Sequence, residues 1–121
     1  MENEQQLEVI LDNQDLKIAI PYNYEAFKSL SPSIFTEDQF IKRFFDDNET
    51  YYIVSIKSKE LLFDLRNKFD SRINNEFCLV VGKDNDIYQG INDNLIELDN
   101  YKEISEFLLT KYEGEFKDLE E

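Results

Sequence analysis

Apolar and polar positions alternate at the start of the chain, where Leu7, Val9 and Leu11 interleave with Glu8, Ile10 and Asp12. That is the period of a half-buried strand. Leu16, Ile18 and Ile20 repeat it after Asp12-Asn13-Gln14-Asp15, whose short side chains can bond their own backbone and make a turn. An antiparallel hairpin is expected, closed by Pro21. Asn23 can then cap a short helix with Tyr24, Phe27 and Leu30 on one side, and Ser31-Pro32-Ser33 breaks it.

The next helix is the most completely specified. Thr36 is an N-cap, Gln39 completes a capping box, and Phe35 before the cap can staple onto Phe40. Glu37 and Asp38 sit at the positive end of the helix dipole. Phe40, Ile41, Phe44 and Phe45 are expected to be its buried stripe.

Tyr51 to Ile56 and Phe77 to Val81 are continuous apolar runs, as strands buried on both faces would be. Between them Ser58 can cap a helix from Lys59 to about Phe69, with Leu61, Leu62, Leu65 and Phe69 inward. Strand, helix, strand predicts a right-handed crossover joining two parallel strands. A turn at residues 82–86 leads to an edge strand at Ile87-Tyr88-Gln89, and Ile91 with residues 95–98 supplies a further short strand. Asn100 and Glu103 read as a second capping box, opening a helix with Tyr101, Ile104, Phe107, Leu108 and Tyr112 on its apolar side. Gly114 stands where that helix should stop. The pattern reads ββααβαβ(ββ)α, an α+β chain with a central mixed sheet of four to six strands and about four flanking helices.

Composition narrows this further. The 121 residues, with ten Phe, seven Tyr and only three Gly, are expected to form one compact domain over residues 1–114, with 115–121 a frayed acidic tail. Met1-Glu2-Asn3-Glu4-Gln5-Gln6 lacks the basic and apolar regions of a secretory signal, Cys78 is the only cysteine, and no run is long enough to span a membrane. A cytoplasmic location follows as the expectation.

Charge changes the picture most. Asp and Glu number 27 against 13 Lys and Arg, a net charge of −14. Such a surface repels nucleic-acid phosphate and anionic membranes, and it speeds encounter with a basic partner. The basic residues Lys57, Lys59, Arg66, Lys68 and Arg72 are interrupted by Glu60 and Asp64, as on a solvated helix face.

Candidate chemistry is sparse. With no histidine the commonest general base and metal ligand are missing, and Cys78 lies inside an apolar run where burial blunts its reactivity. Three scattered glycines cannot form a phosphate cradle. Asp84-Asn85-Asp86 opens like a calcium loop, but Gln89 and Leu95 stand where glycine and the bidentate glutamate belong. Asp46-Asp47-Asn48-Glu49 clusters oxygens where a helix must end and a strand begin. Asp15-Leu16-Lys17 echoes the acid-x-lysine step of some metal-dependent nucleases without a second acid at useful spacing.

The expectation is therefore no enzyme and no cofactor, but an inhibitor, most concretely an immunity protein masking the cleft of a basic toxin such as a nuclease. Asp84, Asp86, Tyr88, Asp93 and Glu97 are the candidate partner-binding residues. A nucleic-acid mimic, an adaptor subunit and a carboxylate-metal hydrolase are the competing readings. The oligomeric state is left open.

Overall fold

The structure is a computed structural model and describes residues 7–30, 35–84, 86–92 and 96–115. Its centre is a six-stranded sheet of β1 (Leu7–Asp12), β2 (Leu16–Pro21), β3 (Thr50–Ile56), β4 (Glu76–Val81), β5 (Ile87–Asn92) and β6 (Ile96–Glu97). Strand order equals chain order, and every neighbouring pair is antiparallel. Helices α1 (Tyr24–Leu30), α2 (Glu37–Ile41), α3 (Lys59–Lys68) and α4 (Tyr101–Lys111) complete the α+β architecture, with a π-helical turn at Lys42–Asp46 continuing α2.

Strand alternation sends side chains to two opposite cores. Leu16, Ile18, Val54, Ile56, Phe77 and Leu79 meet Leu61 and Leu65 of α3 and Ile104 and Leu108 of α4. Ala19, Tyr51, Ile53, Cys78, Val80 and Ile91 meet Phe27 of α1, Phe35 before α2 and Phe40 within it. The sheet is thus the middle of three layers, which is why β3 and β4 are apolar on both faces.

Local signals behave as their chemistry demands. Asn13 Oδ1 accepts from the amides of Asp15 and Leu16 in the first turn, and Asn23 Oδ1 accepts from Ala26 N at the start of α1. Thr36 and Gln39 form the reciprocal capping box, and Ser58 caps α3 through Leu61 N. Gly114 takes a φ of +91° just beyond α4. The Ser31-Pro32-Ser33 break and most of the acidic tail lie outside the described residues.

Four expectations are corrected. First, β3 and β4 are not joined by a parallel crossover: Ser55 pairs with Glu76, so β4 starts where β3 ends. After α3 the segment 69–75 doubles back, held by Arg66 Nε donating to Ile73 O at 2.6 Å and Asn100 Nδ2 donating to Phe69 O at 2.7 Å. Asp70 and Arg72 brace the same loop at 2.8 Å, and the guanidinium lowers the Asp70 carboxyl to about 2. Second, Asn100 is consequently not a side-chain cap of α4, because its amide is engaged with that loop.

Third, β5 is an interior strand from Ile87 to Asn92 that includes Ile91, and the short β6 is the edge. Gly90 permits this: a Cβ there would stand 2.7 Å from Cβ of Tyr101, so β5 and the start of α4 approach more closely than any side chain allows. Fourth, of the predicted stripe Phe40, Ile41, Phe44 and Phe45, only Phe40 is buried. Phe44 is half-buried, while Ile41 is 41% and Phe45 61% exposed. Ile41 and Phe45 stand one and five positions after Phe40, so on a helix they lie well round from the side that Phe40 buries. Phe63 is 66% exposed on α3.

Candidate functional site

The π-turn is closed by Asp47 N donating to Lys42 O at 2.9 Å, and Glu49 N then reaches back to Arg43 O at 2.9 Å. Asn48 makes the turn between them with φ +60°, a left-handed conformation that asparagine tolerates better than most residues. The result is a tight helix-to-strand corner that delivers Glu49 immediately ahead of β3.

Glu49 is 9% exposed, so a carboxylate at this depth needs partners. Arg43 Nε donates to its Oε1 at 2.9 Å, and the Tyr88 hydroxyl donates to Oε2. Arg43 also donates from Nη2 to Gln89 Oε1 at 3.0 Å, and its guanidinium lies over the Phe35 ring at 5.0 Å. Gln89 passes the chain on, donating from Nε2 to Glu97 Oε2 at 3.0 Å. Five side chains from the π-turn, the corner, β5 and β6 are thus joined in a row through the Glu49 carboxylate, the Arg43 guanidinium and the Gln89 amide.

A bulge in β5 aims Tyr88. Val80 faces Gln89 and Val81 faces Ile87, leaving Tyr88 as the extra residue. Its ring lies 3.0 Å from where a Cβ on Gly82 would stand. Partial burial, and secondarily the Glu49 carboxylate, push its phenol up to about 12. Burial works against the charge on Arg43, and Glu49 more than offsets it. Beneath them Tyr51 is fully buried among the rings of Phe27, Phe35 and Phe40, and its phenol is pushed up by desolvation. Its hydroxyl has no hydrogen-bond partner among the described residues.

Two open hollows flank this cluster. One, of about 460 Å³, is lined by Asp46, Asp47, Asp84, Asp86 and Tyr88, with Lys83 the only base. The other, of about 490 Å³, is lined by Lys42, Arg43, Asp47, Gln89 and Glu97 over an apolar floor of Phe35 and Ile91. The predicted residues Asp84, Asp86 and Tyr88 are therefore neighbours, while Glu97 belongs to the second hollow, connected to Tyr88 through Gln89 and Arg43. Asp93 lies outside the described residues.

Arg43 and Glu49 are the residues the sequence reading missed. The run Asp46–Glu49 marked the corner but not that its last carboxylate turns inward. Nothing local couples position 43 to position 89.

The groups assembled here are fixed charges, one anchored aromatic and a concave acidic surface. The Cys78 thiol is fully buried and pushed up to about 12 by desolvation. Among the described residues no group of three or more carboxylates or cysteines is placed to hold a metal ion, and no helix is long and apolar enough to cross a membrane. Comparison with protein-family models, with curated proteins and with solved structures finds no match.

Proposed function

We propose that the protein is an acidic inhibitor that binds a basic protein, most concretely an immunity protein that neutralises a basic toxin such as a nuclease in the cytoplasm. The observation that carries this is the acidic hollow around Tyr88. Asp46 and Asp47 come from the π-helical corner and Asp84 and Asp86 from the β4–β5 turn, so two distant segments converge on one aromatic. A toxin that acts on nucleic acid presents lysines and arginines in its cleft, and an acidic concavity both steers the encounter and covers that cleft.

Tyr88 suits the role of anchor. It is 39% exposed, yet its hydroxyl is tied to Glu49 and its ring is held by the bulge, so little rotamer freedom remains to be lost on binding. Exposed Phe45 and Ile41 beside the acids favour a protein partner over simple mimicry of a nucleic acid, whose outline is charged throughout.

The test is affinity capture from the native cells at low salt, followed by a moderate-salt wash and an assay of what remains. The expected result is one basic protein in stoichiometric amount, whose activity is suppressed by the added protein and restored with the Asp84→Lys, Asp86→Lys double variant. A diffuse set of basic proteins, all lost at modest salt, would reduce the charge to a device for solubility and end the proposal.

A further inference from the structure

Resting on that reading, we infer that the outer face of the α2–π-turn segment, centred on Phe45 with Ile41 and Tyr22, is the apolar anchor of the interface. The partner it fits is a basic protein whose positive surface surrounds an apolar cleft.

Phe45 is 61% exposed, Ile41 41% and Tyr22 42%. Phe45 is not a loose side chain. Its ring stacks on Phe44 at 5.2 Å with an interplanar angle of 11°, and Phe44 meets the fully buried Phe40 edge-on at 5.2 Å. Tyr22 flanks Phe44 at 6.3 Å and is tethered through its hydroxyl to Glu8 at 2.8 Å. A ladder of rings thus runs from the core to solvent and holds its last rung outward. A rigid exposed aromatic costs little conformational entropy when a partner covers it, the profile of an interface anchor.

The charge around the ladder selects the occupant. Glu37, Asp38, Asp46 and Asp47 are exposed along the same segment, against one exposed base, Lys42, which stands 4.0 Å from Asp47. A second copy of this chain would bring like charges together across that face, whereas a cationic rim around an apolar cleft answers both features.

The probe is a synthetic amphipathic helical peptide of leucine and lysine, compared with an oligolysine of equal charge and titrated into isotope-labelled protein by NMR. The leucine–lysine peptide should bind saturably at moderate salt, with amide shifts centred on residues 37–48 and Tyr22. Phe45→Ser should weaken it by about 30-fold, the scale of an anchor residue. Phe63→Ser, an equally exposed change on the opposite layer, should leave it unaltered.

Equal losses in the two variants, shifts centred on α3 and α4, absence of saturable binding, or a concentration-dependent dimer abolished by Phe45→Ser would each overturn the inference. The two proposals fail separately. A captured and inhibited basic partner whose affinity ignores Phe45→Ser removes this surface and leaves the inhibitor reading. Peptide docking at Phe45, with no inhibited partner captured, removes the inhibitor reading and leaves the surface.

Discussion

Glu49 shows how much one side chain can organise. It sits at the mouth of β3, receives a guanidinium and a phenol, and so joins a corner 39 residues away in sequence to the bulge at Tyr88. The phenol's ionisation should report that junction. Its proton is held to about 12 in the folded protein against 10.0 in an unfolded chain. The folded state therefore keeps a proton that the unfolded state has released between those values. Tyr88 contributes stability fully present below pH 10 and lost as pH rises toward 12. Tyr22 is held to about 12 as well, so ultraviolet titration should count one fewer late-ionising tyrosine in Tyr88→Phe. In Glu49→Gln the Tyr88 phenol should shift downward without reaching 10.0, because burial is the larger cause. A phenol at 10.0 in Glu49→Gln would show that burial contributes nothing. Residue roles legible in the sequence were those completed within a turn: Asn13, Asn23, Thr36 and Ser58 bond two or three positions away. Asn100 followed the same local rule on paper and failed it, since a loop 31 residues earlier in the chain takes its amide. Arg43 was illegible for the same reason, its partner Gln89 lying 46 positions on.

Among elements, the corner after α2 and the contact of β5 with α4 carry the sharpest expectations. Asn48 holds a left-handed backbone that β-branched residues resist, so Asn48→Val should cost roughly 1–2 kcal/mol and Asn48→Gly only a few tenths. Gly90→Ala places a methyl against Tyr101 and Leu98, backed by Leu79, and should cost roughly 1–3 kcal/mol through forced displacement. Urea denaturation of the three variants measures both; a neutral Gly90→Ala would mean that α4 shifts freely on the sheet. The strands and helices themselves were legible because their periodicities differ. Two features were not. The turn back after α3 depends on side-chain bonds from Arg66 and Asn100, and an apolar strand reads the same in either direction. The π-turn has no marker in the sequence, and a stripe drawn through Phe40, Ile41, Phe44 and Phe45 is wider than the one side this short segment buries.

For the molecule as a whole, a net charge of −14 is a standing self-repulsion. Two bases flanking α3 have acidic partners: Lys57 reaches Asp12 at 2.6 Å, and Arg72 stands 2.8 Å from Asp70 and 3.6 Å from Asp99. Added salt should therefore relieve more repulsion than attraction. Raising sodium chloride from about 0.01 to 0.15 M, which shortens the screening length from about 30 to 8 Å, should raise the urea midpoint. A lowered midpoint would mean that the ion pairs outweigh the excess charge. Strand order has a further consequence, in time instead of space. Each strand pairs with the strand made just before it, so a chain emerging from synthesis never holds a finished strand past the making of the next one. The two longest intervals between strands are those that carry α1, α2 and α3. Each exposed sheet edge is thus accompanied, while it waits, by the helices that will roof one of its faces.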